Sequence, residues 1–331
     1  MEPESPLKKI VVRPLAFESL GVRSMCTYVE TPDVRILLDA GVSLGPRRFG
    51  FPPHPREYKA IEKARRLIVE AAERADVVTV SHYHFDHHTP SYTDWAYNWS
   101  SEEIARSIYE GKLVLAKSYR TDVNFSQRRR GWLFARTCGK YARRLETADG
   151  RTFRFGDTTI KFSKPVFHGG EGSRVGWVLM ATIRHGEDAL IFTSDVQGPI
   201  VPETCELILA ENPKLAIVGG PPLYLIDFAL GREELESAVE NLKRIVRKVP
   251  TTILDHHILR EKDWRRPFKA VFEEASQAGH RVVTAAEFMG EENLLLEARR
   301  RELFEEEPPS GEFVKWMRTP SWRRRLTKPP L

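Results

Sequence analysis

Residues 81–88 read Ser-His-Tyr-His-Phe-Asp-His-His, which puts four of the ten histidines and a carboxylate within eight positions. Imidazole and carboxylate are ligands that Zn²⁺, Mn²⁺ and Fe²⁺ accept, so this stretch is a candidate metal site. Its order suggests two metals. Alternate residues of an extended chain project to one side, which lets His82 and His84 grip one ion together. Asp86 and His87 come as the chain turns, point elsewhere, and are placed to hold a second ion close by. Structural zinc usually closes its shell with cysteine, and the absence of cysteine from this cluster favours a catalytic centre.

Four more potential ligands or supporting acids stand where an apolar run opens into a loop. Asp39 follows Ile36-Leu37-Leu38, His168 follows Val166-Phe167, Asp195 follows Ile191-Phe192-Thr193-Ser194, and His256 follows Ile253-Leu254-Asp255. A sheet fixes the groups at its strand ends while the loops beyond leave space for substrate.

The elements that must position these groups fall into two regimes. Early extended runs at 10–17, 24–30 and 34–38 precede a helix over 55–75, in which Tyr58, Ile61, Ala64, Leu67, Ile68 and Ala71 recur at helical spacing. That helix delivers the chain to a buried strand at 76–80, directly before His82. A helix at 101–109, a strand at 113–116, a basic helical stretch and short strands at 152–155 and 159–162 follow. Longer strands at 176–183 and 189–193 form a hairpin across the polar turn that contains Gly186. The second half alternates: strands at 214–218, 251–254 and 281–283 are separated by helices at 232–249 and 264–278, and a helical stretch spans 285–304. Strands first, then strands alternating with helices, indicate a layered α/β (α+β) fold.

With 331 residues, 41% of them hydrophobic, the chain can bury a large core. The expected division is one domain over 1–305, with a basic helical insert at 118–148, and a basic C-terminal tail at 306–331. No apolar run approaches the roughly 20 residues of a membrane helix, and nothing resembles a secretory signal, so no membrane partner and a cytoplasmic place are expected. Cys26, Cys138 and Cys205 are odd in number and widely spaced, as reduced packing residues would be. Charged residues make up 29% of the chain, a balance associated with hot environments. The net charge of +5 is modest but uneven: Arg128, Arg129, Arg130, Arg136, Lys140, Arg143 and Arg144 occur in one stretch without an acid.

The chain resembles the metallo-β-lactamase-fold superfamily of hydrolases. The His82-Tyr83-His84-Phe85-Asp86-His87 run matches that family's signature in residue type and spacing, and Asp39, His168, Asp195 and His256 stand in the family's order. The resemblance spans residues 10–283 and is strongest to an uncharacterised archaeal group of predicted metal-dependent hydrolases. It implies an αββα sandwich with metals at one edge. It implies that His82, His84 and His168 bind one metal, that Asp86, His87 and His256 bind another, and that Asp195 bridges them. Asp39 then orients ligands. The implied cofactor is a pair of divalent ions, zinc foremost, with Mn²⁺ or Fe²⁺ as alternatives. In such a centre the cations lie about 3.5–4 Å apart and their shared hydroxide is the nucleophile.

Adjacent His256 and His257 pose a choice, because an extended strand turns only one of them toward the site. His256 falls where the family's strand-end histidine falls, and His257 is then a substrate or proton-transfer group, acting with Asp86 and Asp195 in catalysis. His88 reads as a supporting residue and Glu171 as a solvated loop acid. The basic stretch, interleaved with Phe125, Trp132, Phe134 and Tyr141, fits either single-stranded nucleic acid bound through Arg128, Arg129 and Arg130 or an amphipathic helix with its aromatics buried. The tail, with Trp316 and Trp322, could bind nucleic acid, dock on its own domain or meet another subunit. The resulting expectation is a metal-dependent hydrolase of a phosphodiester, with nucleic acid among the candidate substrates. Its alternatives are a small-molecule ester or lactone hydrolase, an iron-dependent oxidoreductase, and a nucleic-acid-binding protein with a structural metal.

Overall fold

The computed structural model describes residues 5–228 and 230–331. Six strands form the first sheet in sequence order: β1 (Val11–Phe17), β2 (Met25–Glu30), β3 (Arg35–Leu38), β4 (Val77–Val80), β5 (Leu113–Ala116) and β6 (Arg144–Thr147). β1, β2 and β3 pair antiparallel, while β3 through β6 pair parallel. The second sheet is built from β7 (Thr152–Phe155), β8 (Thr158–Phe162), β11 (Ala181–His185), β12 (Asp188–Phe192), β13 (Leu215–Gly219), β14 (Thr251–Asp255) and β15 (Arg281–Val283). Its order is β15-β14-β13-β12-β11-β8-β7, and β9 (Val166–Phe167) and β10 (Trp177–Val178) make a separate two-stranded ribbon.

Period-two alternation assigns each strand a face in the core. Met25 and Val29 of β2, Ile36 and Leu38 of β3, Leu215 and Ile217 of β13 and Ile253 of β14 meet between the two sheets. Cys26, Tyr28 and Leu37 face a helical layer on one outside, and Ala216, Val218 and Leu254 face one on the other. The first layer contains α1 (Pro55–Arg74), α2 (Glu102–Tyr109) and α3 (Phe125–Thr137); the second contains α4 (Pro202–Ala210), α5 (Arg232–Lys248) and α6 (Lys269–Gln277). Four short helices follow: α7 (Ala285–Phe288), α8 (Arg300–Glu306), α9 (Gly311–Met317) and α10 (Ser321–Leu326). The architecture is the αββα sandwich of the metallo-β-lactamase fold. Among the described residues no helix is long and apolar enough to cross a membrane.

Several expectations change. Residues 144–147 of the supposed helical insert pair with β5 as the edge strand β6. The strand expected over 176–183 is broken between β10 and β11, and the helix over 285–304 is interrupted between α7 and α8. The basic C-terminal tail at 306–331 contains the helices α9 and α10. Ser310 caps α9 by accepting the Phe313 N–H at 3.2 Å, and Phe313 and Trp316 bury against Tyr58 with ring centroids 5.7 and 5.5 Å away. Those two apolar residues dock the segment on its own domain. All three cysteines are free and buried.

Candidate metal centre

The carboxyl ends of β3, β4, β12 and β14, together with the end of β9, meet at one edge of the sandwich, where open α/β sheets bind ligands. Three of these exits turn sharply: Asp39, Ser194 and His256 have φ of 47°, 54° and 70°, the left-handed region that non-glycine residues rarely adopt. Gly41 completes the first exit. A Cβ on it would lie 2.2 Å from the His88 backbone nitrogen and 2.4 Å from that of His87, so only glycine lets the two segments pass.

His84 Nδ1 lies 3.1 Å from both His82 Nε2 and His168 Nε2, and Asp195 Oδ2 is 3.1 Å from the same His168 nitrogen. These four residues form one group whose candidate donor atoms lie within 4.8 Å of one another. Asp86, His87 and His256 form a second group, with His87 Nε2 and His256 Nε2 3.4 Å apart. Asp195 Oδ2 is also 3.3 Å from His256 Nε2, so this carboxylate belongs to both neighbourhoods. All seven sequence-derived ligands therefore converge, whereas His88 and Glu171 join no such group among the described residues.

The donor set fits divalent cations. Three imidazole nitrogens meeting at one point exceed what hydrogen bonding among them can satisfy, and Asp195 Oδ1 is buried without a hydrogen-bond partner among the described residues. A tetrahedral shell with metal–nitrogen bonds of about 2.0–2.1 Å has edges of roughly 3.3–3.4 Å, close to the nitrogen spacings here. Burial, then the neighbouring imidazoles, drives His82 well below its ordinary range; burial, then His168, pushes His84 down to about 3. Burial opposes ionisation of Asp86 and Asp195, but the imidazoles around them prevail and hold both below the usual carboxylate range. Neutral imidazoles beside ionised carboxylates are the protonation states a metal requires.

The supporting groups are equally specific. Asp39 Oδ2 accepts from His87 Nδ1 at 2.9 Å and from Ser194 Oγ at 3.2 Å, while Asp39 Oδ1 accepts the Ser81 N–H at 2.8 Å. Ser81 Oγ also bonds Asp39 Oδ2 and lies 3.0 Å from His82 Nδ1. Asp39 thus contacts the candidate ligand His87 directly and reaches His82 through Ser81. Glu18, which the sequence reading passed over, does the same for His256 of the second group. Its Oε2 accepts from His256 Nδ1 at 2.8 Å, and its Oε1 accepts from Arg260 Nε and Nη2 at 2.9 and 2.6 Å. Burial opposes a proton on His256, but Glu18 and Asp195 raise its pKa well above the ordinary value, so this pocket favours positive charge.

His257 corrects the expectation of strict alternation. β14 ends at Asp255 and the left-handed turn at His256 brings both histidines to Asp195, with His257 Nε2 2.9 Å from Oδ2. Asp255 stabilises that turn by accepting the His256 N–H at 2.7 Å. His257 Nδ1 meets Tyr224 Oη at 3.0 Å, and Arg260 Nη1 donates to the same oxygen at 2.8 Å. Burial, then Arg260, pushes His257 down to about 3. His88 donates from Nδ1 to the His84 carbonyl at 2.9 Å, supporting the loop from below.

A UPF0282 protein of Methanopyrus kandleri is 45% identical over 296 residues, covering 89% of this chain and 99% of its own length. The chain belongs to the UPF0282 family. A member from Thermococcus gammatolerans is 48% identical over 304 residues, covering 92% of this chain and 97% of its own. No family model matches the chain. Among solved structures, CmlA, described as a diiron β-hydroxylase from Streptomyces venezuelae, is similar with a TM-score of 0.50 and 13% identity, covering 85% of this chain and 53% of that one. The metallo-β-lactamase-fold protein YhfI from Bacillus subtilis has a TM-score of 0.47 and 15% identity, covering 84% and 97%. Members of UPF0282 thus share this chain nearly end to end, and CmlA shares its fold.

Proposed function

We propose that the chain is a metal-dependent hydrolase of phosphodiesters, with single-stranded nucleic acid as its favoured substrate and the cytoplasm as its place of action. The observation that carries the reading is Asp195, one buried carboxylate that belongs to the first ligand group and lies 3.3 Å from His256 of the second. In this reading His82, His84 and His168 hold one ion, Asp86, His87 and His256 hold the other, and Asp195 is shared. When bound, two divalent cations, zinc foremost with Mn²⁺ or Fe²⁺ as alternatives, supply a hydroxide nucleophile near neutral pH and offset charge developing on a phosphoryl oxygen.

The chain's own groups divide the remaining work. Tyr224 accepts from Arg260, which leaves the tyrosine proton for His257 Nδ1 and keeps the histidine proton on Nε2, facing Asp195. His257 therefore holds a proton facing Asp195, while His256 has its Nδ1 proton engaged by Glu18 and turns its Nε2 toward Asp195 and His87. The cluster of imidazoles keeps the Asp86 and Asp195 carboxylates ionised.

The outer face of α3 supports the nucleic-acid part. Phe125 is 84% exposed and Trp132 50% exposed, so the alternative with buried aromatics holds for Phe134 and not for these two. Phe125, Arg128, Arg129, Trp132 and Arg136 fall on one helical stripe, and Arg136 lies 5.8 Å from the Trp132 ring. Aromatics that stack bases beside cations that pair phosphates are what a single strand needs. An iron-dependent oxidoreductase is the second reading, favoured by the fold shared with CmlA, described as a diiron enzyme. A small-ester or lactone hydrolase is a further variant of the first.

The test is turnover by metal-loaded protein of bis-p-nitrophenyl phosphate, short RNA, esters and lactones, with oxygen uptake measured on the iron-loaded form. Phosphodiester cleavage lost on Asp195→Ala is expected. Ester turnover alone, or oxygen uptake without hydrolysis, would overturn the phosphodiester reading.

A further inference from the structure

The arginines at 128–130 do not act as one patch. Arg128 and Arg129 are exposed, whereas Arg130 is half-buried and its guanidinium carbon lies 4.9 Å from the centre of the Phe85 ring. Phe85 stands between His84 and Asp86, one residue from each ligand group, and Tyr92 packs edge-on against it at 5.9 Å. His84, Phe85 and Asp86 are half-buried, while His82, His87, His168, Asp195 and His256 are buried. Arg130 therefore stands on a side where the centre meets solvent.

Its position is tightly set. Gln127 donates from Nε2 to the Trp177 carbonyl at 2.8 Å and accepts the Trp177 N–H at 3.2 Å, and Asn124 Nδ2 donates to the Arg174 carbonyl at 2.7 Å. These bonds tie α3 to the loop that follows His168. At Gly131 a Cβ would lie 2.5 Å from a ring carbon of Tyr83, so the glycine lets the helix close onto the metal-binding loop. Among the described residues Arg130 has neither a carboxylate partner nor a side-chain hydrogen bond. Arg260, 3.9 Å from Asp86, is already engaged with Glu18, and Arg48, 5.0 Å from the Tyr224 ring, with Glu261.

We propose that Arg130, stacked on Phe85, forms an anion subsite that binds a second phosphate of the substrate, next to the phosphodiester at the metal centre. This rests on the phosphodiester reading above. A guanidinium stacked on a ring keeps its in-plane N–H donors for a bidentate phosphate contact, which lysine cannot reproduce in full. The subsite separates substrates by charge beyond the scissile group, as a polynucleotide or a phosphorylated dinucleotide would require.

Binding of thymidine 3′-phosphate and thymidine 3′,5′-bisphosphate to metal-loaded protein by calorimetry tests the subsite without turnover. The second phosphate is expected to tighten wild-type binding roughly tenfold or more. Arg130→Ala should bring the bisphosphate down to the affinity of the monophosphate, and Arg130→Lys should restore part of the difference, with unchanged metal content marking an intact fold. Equal binding of the two ligands by wild type, or a difference that survives Arg130→Ala, overturns the subsite even if phosphodiesters are cleaved. An Arg130-dependent difference in a protein that cleaves no phosphodiester upholds the subsite and removes the hydrolytic reading instead.

Discussion

Replacing Glu18 by glutamine keeps the shape of a buried side chain and removes its charge from between His256 and Arg260. Glu18 is 4% exposed and accepts three hydrogen bonds, one from His256 Nδ1 at 2.8 Å and two from Arg260 at 2.9 and 2.6 Å. Burial opposes its ionisation, but His256 and then Arg260 hold its pKa below the ordinary value. A glutamine oxygen can serve only one of its two partners. If it stays with Arg260, the amide NH₂ faces His256 Nδ1 and drives the histidine proton to Nε2, the atom 3.4 Å from His87 Nε2 and 3.3 Å from Asp195 Oδ2. The second group then loses a ligand lone pair. Loss of such a supporting bond weakens metal binding about 10–100-fold, or about 1.4–2.7 kcal/mol. Arg260, fully paired in the parent and 3.9 Å from Asp86, also loses its compensating charge, and disrupting a buried ion pair costs about 3–5 kcal/mol of stability. Competition with a chromogenic chelator should show one weakened ion and one of unchanged affinity, because His82, His84 and His168 make no contact with Glu18. Wild-type affinity for both ions, or equal weakening of both, would refute the reasoning.

Gly41→Ala should displace the backbone at His87 and His88, since its Cβ would lie 2.2 Å from a backbone atom; metal analysis should show loss of the second ion and denaturation a penalty of about 1–3 kcal/mol or more. Trp316→Ala should lower stability by about 3–5 kcal/mol in urea denaturation, because the ring is buried against Tyr58; a change within error would mean the C-terminal segment is not docked. Glu297 supplies a pH test. Burial opposes its ionisation, but Arg23, whose guanidinium bonds it at 2.6 and 2.5 Å, holds its pKa well below the ordinary value. A depressed carboxylate stabilises the fold above its unfolded pKa of about 4.3, and that contribution is lost as pH falls toward the folded value. Glu297→Gln should therefore be less stable than the parent at pH 7, with the gap narrowing below about pH 4; a widening gap would contradict the assignment.

The ligand loop was legible because its chemistry is contiguous: His82, His84, Asp86 and His87 carry their spacing in the sequence, and the strand before them is a plain apolar run. The layered order was legible in strands that come first and then alternate with helices, and the sandwich itself was what the resemblance implied; runs such as Leu215 to Val218 are apolar throughout, and only folding divides them between two cores. Glu18 was not, because it lies 238 residues from His256 in a short turn that bears no mark of its partner. The paired approach of His256 and His257 was hidden by a local event, the left-handed turn at φ 70°, which alternation cannot anticipate. Helix α4 escaped notice because Thr204, Cys205 and Ile208 are its only buried residues, too few to print a periodic stripe. The grouping of Arg128, Arg129 and Arg130 dissolved once a helix turned one of them toward Phe85 and left two in solvent.

Metal content per chain addresses the central claim most directly. Protein stripped with chelator and reloaded with zinc should hold two ions per chain by mass spectrometry of the native protein, and a His84→Ala, Asp86→Ala double variant should lose both or retain at most one weakly. Fewer than two ions in the parent, or an unchanged content in the double variant, would contradict a two-metal centre built on these residues.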